Sequence, residues 1–185
     1  MLLNFLNIIF KYFSIYIYFY LVGRAFDIIV KRYIFRNINS NEILKTKNTI
    51  VYPVVGIILT GNILVLFNYF YRINSVYTLI LLIVLIIPNF LKIEKITLNS
   101  FENLFYYFII PSILIISSSD ISFHFDAGYY HLNHQNWLRE SNLIIGMVNI
   151  FWPFGISSIF EFLSALLWFE DSLIYLHLFS LRCYI

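Results

Sequence analysis

The sequence predicts an all-α protein: a polytopic bundle of about five or six membrane spans, with one extracytoplasmic loop carrying a short interfacial helix. Three observations support that class. First, the 185 residues are 61% hydrophobic and only 12% charged, with a mean hydropathy of +0.80. A soluble domain carries about 25% charged residues, so this chain has too little polar surface to meet water all round. Second, the apolar residues come in long runs, several near the roughly 20 residues that a membrane helix needs. Third, the charges gather in short clusters between those runs. A net charge of +2, with its cations spread over several loops, excludes nucleic-acid binding as a reading. The single cysteine, Cys183, excludes an intramolecular disulfide and a multi-cysteine metal site. The abundance of Phe and Tyr goes with that of Ile, Asn and Lys, a bias an AT-rich genome produces by itself, and so is no sign of carbohydrate binding.

The first span covers 2–22. Its first basic residue, Lys11, lies inside the apolar run, whereas a cleaved signal peptide would begin with a basic region and end on small residues. Lys11 is expected to snorkel toward the nearer interface. A basic segment, 24–48, follows with Arg24, Lys31, Arg32, Arg36, Lys45 and Lys47. The second span covers 50–70, with Pro53 expected in its first turn and Gly56 and Gly61 leaving room for a neighbouring helix. The third covers 72–90. The fourth, 104–117, holds Pro111 in its interior and should kink there. A motif loop, 117–155, separates it from a short fifth span, 156–169, and a sixth run, 172–185, is cut off by the end of the sequence. The whole reads as one membrane domain, the N-terminal part of a larger protein.

Orientation follows from the basic residues. The loops 24–48 and 91–103 carry eight Lys/Arg, against Arg72 and Arg139 on the opposite side. Eight against two puts the basic loops in the cytoplasm and the motif loop outside, in a multi-pass protein of the cytoplasmic (inner) membrane.

The motif loop is where charge alternates with aromatics and glycines. Asp120 and Asp126 lie just past the outer end of the fourth span. A carboxylate there can act as general base toward an attacking hydroxyl or hold a divalent cation; the plainer alternative is two solvated aspartates. His131 and His134 are three apart, hence on one face if 127–141 is helical, with His124 upstream. Imidazoles with carboxylates suit zinc or iron, yet the spacing matches no familiar metal motif, so hydrogen-bonded interfacial histidines are the simpler reading. Tyr129, Tyr130 and Trp137 fit a helix lying in the interface. Arg139 can pair bidentately with a lipid phosphate or neutralise Glu140 or Asp126. Glu161, a carboxylate inside the fifth apolar run, is a functional candidate because such a group is costly in a membrane. Its position near the start of that run can also leave it close to the outer interface.

The stretch HFDAGYYHLNHQNWLRESNLIIGMVNIFWPFGISSIFEFLSALL resembles a segment of bacterial polytopic proteins related to the GT-C glycosyltransferases. Those carry an Asp-x-Gly-x-Tyr-His-like motif, then a Trp, a Gly-x-x-Asn, a Phe-Gly-x-x-Ser and a Leu-Ser-Ala. The matching positions are Asp126, Gly128, Tyr130, His131, Trp137, Gly146, Asn149, Phe154, Gly155, Ser158, Leu163, Ser164 and Ala165, within 125–167. The resemblance implies a sugar donor linked to polyprenyl phosphate, used to build cell-surface polysaccharide or glycolipid. It implies Asp126 as catalytic base, Asp120 as auxiliary, and His131, Arg139, Tyr130 and Trp137 at the substrate and its phosphate. Some relatives depend on a divalent cation and others do not, which leaves a metal open. The relatives are much longer, so a fragment of this length is expected to be inactive alone. The competing classes are a non-enzymatic membrane protein, such as a polysaccharide exporter or accessory subunit, and a metal-dependent enzyme built on His124, His131 and His134.

Overall fold

A computed structural model describes residues 2–33, 48–91, 108–109, 112–113, 127–155 and 158–168. Among these the protein is all-α, with five α-helices joined by tighter and wider helical turns and no strand. Of the five, α1 spans Leu2–Tyr33 and α2 spans Asn48–Asn68. Then come α3 (Val76–Ile86), α4 (Leu132–Glu140) and α5 (Ile159–Leu166). Two of these, not five or six, are long and apolar enough to cross a membrane: Ile9–Tyr33 within α1, and Val51–Asn68 within α2.

Helix α1 runs eleven residues past the expected end at Val22. Polarity begins there, but polarity does not end a helix. Arg, Ala and Lys are good helix formers, and Lys31 Nζ binds Asp27 Oδ2 at 2.7 Å one turn back. Helix α2 agrees with the expected second span to within two residues at each end. Its start at Asn48 makes Pro53 the sixth residue, inside the helix and past the first turn where it was expected.

Helices α1 and α2 pack antiparallel, backbone against backbone. A Cβ on Gly23 would lie 2.0 Å from the Tyr52 carbonyl oxygen, and one on Gly56 would lie 2.0 Å from that of Phe19. No side chain fits between the two helices at either point. Gly61 serves the next contact: a Cβ there would meet Ile159 and Leu163 of α5 at 3.0 and 3.1 Å. Glycine therefore brings two helices onto α2, as the sequence suggested for Gly56 and Gly61.

Helix α3 is shorter than the span read over 72–90. It begins after Ser75, whose Oγ accepts the Thr78 N–H at 3.3 Å as an N-cap. After Ile86 the chain tightens into a 3₁₀ turn, Ile87–Leu91. Asn89 donates there to the carbonyls of Leu21 and Ile86 at 2.8 and 2.9 Å, tying the turn to α1. The fourth expected span, 104–117, falls almost wholly outside the described residues, as do Pro111 and the run 172–185.

Of the run read as a fifth span, 156–169, residues 158–168 are described. Its helix, α5, has eight residues and reaches about 12 Å, far short of a bilayer. Its inward face is enclosed by protein, with Phe162, Leu163 and Ala165 each at most 2% exposed, while Phe160 is 43% exposed. The three buried residues join Phe19, Leu64, Ile73, Leu138 and Leu167 in the core. Apolarity earned by burial inside a bundle and apolarity earned by contact with lipid look alike in a sequence.

Candidate functional site

The site is built where α4 meets α5, and the frame beneath it is a set of backbone hydrogen bonds. A helix leaves its last carbonyls without partners. For α4 these are satisfied by the connection between α2 and α3. The Ile73 N–H donates to the Leu138 carbonyl and the Asn74 N–H to that of Arg139, both at 3.1 Å. Asn68, fully buried at the last position of α2, donates through Nδ2 to the carbonyls of Leu138 and Ser141. Its own carbonyl accepts the Leu143 N–H at 2.8 Å. The Arg72 and Arg139 stretches therefore share one end of the bundle.

At the other end of α4 the chain enters through a wide π-type turn, Ala127–His131. Such turns project side chains off the regular helical register and recur at functional sites. Residues 127–140 are helical throughout, so His131 and His134 share a face. Both rings turn to one carboxylate. His131 Nδ1 hydrogen-bonds Glu161 Oε1, and His134 Nδ1 meets Glu161 Oε2 at 2.5 Å. The side chains of Glu161 and His134 are 6% and 5% exposed, while that of His131 is 39% exposed.

That arrangement determines which ring atoms remain for chemistry. An ionised carboxylate only accepts. Both Nδ1 atoms must then carry hydrogen and donate it, and each ring keeps its Nε2 for another partner. A bare Nε2 accepts a proton or a hydrogen bond; a protonated one donates. Holding a histidine by Nδ1 in this way sets its tautomer and aim, as carboxylates do for catalytic and metal-bound imidazoles. Only His131 is open enough to meet a substrate. His134 is enclosed, with its ring 6.3 Å from that of Phe154.

Glu161 sits well inside the bundle. Gly61, which α5 straddles with Ile159 and Leu163, lies seven residues before the end of α2, about 10 Å along the axis at 1.5 Å per residue. The sequence had left it near an interface or within the span; the packing puts its helix about two turns inward from Asn68.

Aromatic side chains wall the site. Trp137 packs on Phe154 at 4.7 Å between centroids, Phe151 meets Phe154 at 5.3 Å, and Tyr129 meets Phe151 edge to face at 5.3 Å. Tyr130 lies 4.2 Å from the His131 ring. Gly128, beside Tyr129 in the turn, has nothing within 4 Å of where a Cβ would be.

Arg139 is separated from this cluster. It lies eight residues, about 12 Å, beyond His131 along the axis, and its guanidinium sits 5.0 Å from the Trp168 ring centre. Glu140, suggested as its partner, instead accepts from Asn74 Nδ2 at 3.3 Å. One phosphate could not rest on both Arg139 and His131 unless the arginine left Trp168. Asp120, His124 and Asp126 lie outside the described residues. Among the described residues no group of three His, Cys, Asp or Glu is arranged to hold a metal ion; the Nδ1 atoms of His131 and His134 are already engaged by Glu161.

The sequence supplied His131, His134 and Glu161 as separate candidates but gave no sign that they meet, 27 and 30 residues apart. Asn68 and Gly23 were missed altogether. An amide closing a twenty-residue apolar run was the available signal for the first. For the second it was a glycine beside the first charged residue after the span. No curated protein and no solved structure matches the chain. A family model does match residues 1–184, and by that match the chain belongs to the family described as Domain of unknown function (DUF8201).

Proposed function

We propose that this chain is the membrane-embedded part of a GT-C-like glycosyltransferase, moving a sugar from a polyprenyl-phosphate carrier to an acceptor hydroxyl at the extracytoplasmic face of the cytoplasmic membrane. Membrane placement is supported by where the apolar surface lies. The apolar stretches of α1 and α2 are only 22% and 33% buried, whereas the core helix of a soluble protein is mostly enclosed. Leu66, Ile83 and Val76 stand 60–70% exposed along α2 and α3, a surface suited to lipid.

The observation that carries the chemistry is the pair of imidazoles held by Glu161. In the proposed step, the acceptor oxygen attacks the anomeric carbon and its proton passes to Asp126. The bond from that carbon to the carrier phosphate breaks, and the phosphate leaves with its charge against Nε2–H of His131. Glu161 fixes the His131 ring from behind, and Tyr130 and Trp137 line the approach. Arg139, over Trp168, is given no part in that phosphate contact. A divalent cation remains compatible with Asp120 and Asp126.

The test is transfer of labelled hexose from a panel of polyprenyl-phosphate hexoses, in membranes carrying the whole native protein. Asp126→Asn and His131→Gln should each lower transfer by about 10²-fold or more, the usual share of a positioned acid or base, with protein levels unchanged. Wild-type rates in both variants would refute the assignment. A second reading, a non-enzymatic exporter or accessory subunit, is favoured by one observation: Glu161 is buried well inside the bundle, where transporters keep their ionisable groups. Loss of polysaccharide export in Glu161→Gln with undiminished sugar transfer would select it.

A further inference from the structure

The corner between α2 and α3 forms a pocket of about 590 Å³, with Phe70, Tyr71, Arg72, Asn74, Tyr77 and Asn142 in its walls. We infer that this pocket binds an acidic sugar, a pyranose bearing a carboxylate, as a site separate from His131 and Glu161. The inference does not rest on sugar transfer. Asn74 reaches α4 at Glu140, nine residues and about 13 Å beyond His131 along the axis.

The polar groups left over define the ligand. Among the described residues Arg72 is the one cation or carboxylate in these walls, and its exposed guanidinium has no hydrogen bond, ion pair or ring contact with any of them. Its planar fork suits the two oxygens of a carboxylate. Asn74 and Asn142 are held by their nitrogens. Nδ2 donates to Glu140 Oε1 at 3.3 Å in the first and to the Phe70 carbonyl at 3.1 Å in the second. Each amide oxygen then remains an acceptor with no donor among the described residues. A simple carboxylate or a phosphodiester has no hydrogen to offer those oxygens. A hydroxylated acid has.

The rings supply the rest. Tyr71 and Tyr77 pack at 4.7 Å between centroids, with Phe67 against Tyr71 at 5.2 Å, and Phe70, Tyr71 and Tyr77 stay exposed. Aromatic walls with a few placed polar groups are the usual make-up of a small-molecule site of this size. A pyranose has an apolar C–H face and a polar rim, which matches rings set beside amides and a guanidinium. The abundance of aromatics in the chain says nothing about sugars; this placement does. The corner is also held in shape from both helices. Asn68 Nδ2 donates to the Tyr71 carbonyl and Thr78 Oγ1 to that of Arg72, both at 3.2 Å, while the Asn74 N–H donates to the Arg139 carbonyl at 3.1 Å. A turn fixed in this way loses little freedom on binding. In the orientation read from the basic loops, the pocket lies at the extracytoplasmic face, where cell-surface polysaccharide is found.

The experiment is ligand-observed NMR on the whole chain in a detergent without a sugar headgroup, with methyl glucuronide, methyl glucoside and acetate as probes. The glucuronide should bind about tenfold more tightly than the glucoside, and acetate more weakly than either. Arg72→Gln, at an exposed position, should remove the preference for the glucuronide while glucoside binding persists. His131→Gln should leave all three affinities as they are. Absent glucuronide binding, equal affinity for the two glycosides, acetate binding as tightly as the glucuronide, or a preference that survives Arg72→Gln would overturn the inference. So would loss of glucuronide binding in His131→Gln, which would place the sugar at the other site. Because no transfer is read, a chain that binds the glucuronide but moves no hexose would refute the proposed function alone.

Discussion

Replacing Glu161 should separate the two histidines energetically, because they share a carboxylate but not an environment. The Glu161–His134 contact joins side chains 6% and 5% exposed. A hydrogen bond to a charged group contributes about 1.5–3 kcal/mol, and a buried N–H left without an acceptor costs about 1–3 kcal/mol. Burying the carboxylate itself is costly, which offsets part of this. Glu161→Ala should therefore destabilise by about 3 kcal/mol, and Glu161→Gln by about 1–2 kcal/mol, since the amide keeps one acceptor oxygen. With glutamine, only one Nδ1 can still donate; the other must accept from the amide and change tautomer. The His131 contact counts for less because 39% of its side chain is exposed. Double-mutant cycles with Glu161→Gln should give a coupling of about 1.5–3 kcal/mol for His134→Phe and below about 1 kcal/mol for His131→Phe. Unfolding of the detergent-solubilised chain can be followed by tryptophan fluorescence, because Trp137 packs on Phe154 beside the site and Trp168 sits under Arg139. Equal and negligible couplings at both histidines would refute the reasoning.

Two further substitutions test the frame. Gly56→Ala must push α1 away by about 1.4 Å, to bring a 2.0 Å approach to an ordinary contact. No rotamer can relieve a carbonyl, so the cost should reach the upper part of the usual overpacking range of about 1–3 kcal/mol. Gly128→Ala, facing open space, should instead be neutral or stabilising by up to about 1 kcal/mol. Thermal unfolding midpoints that move the same way in both variants would contradict the α1–α2 contact. Asn68→Leu should cost about 1–3 kcal/mol by removing the amide donor shared by the carbonyls of Leu138 and Ser141, the first of which keeps the Ile73 N–H. It should also speed amide exchange at Leu143, and unchanged exchange would remove Asn68 from the frame.

What the sequence made legible was governed by local rules. Apolar length located α2, and the three-residue spacing of His131 and His134 placed them on one face. Glycine at 56 and 61 foretold close helix contacts. The errors arose where one pattern has two physical causes. Helix α1 was ended at the first charge, though charged residues with an i,i+4 pair continue a helix readily. In the fifth run the described part is a short helix with one face buried, and burial by protein and exposure to lipid select the same residues. Meetings across the chain left no local trace: Glu161 with the two histidines, and Asn68 with the end of α4. Their spacing in sequence is arbitrary, and only the packing of α5 against α2 and α4 brings them into register.

The most direct measurement is the nitrogen spectrum of the histidine rings in ¹⁵N-histidine-labelled protein, assigned with His131→Gln and His134→Gln. Glu161 acting on both rings predicts hydrogen on Nδ1 of His131 and His134, with Nε2 of His131 responding to added polyprenyl phosphate and that of His134 silent. Rings carrying hydrogen on Nε2 alone, with bare Nδ1 atoms indifferent to Glu161→Gln, would contradict the site on which the proposed chemistry rests.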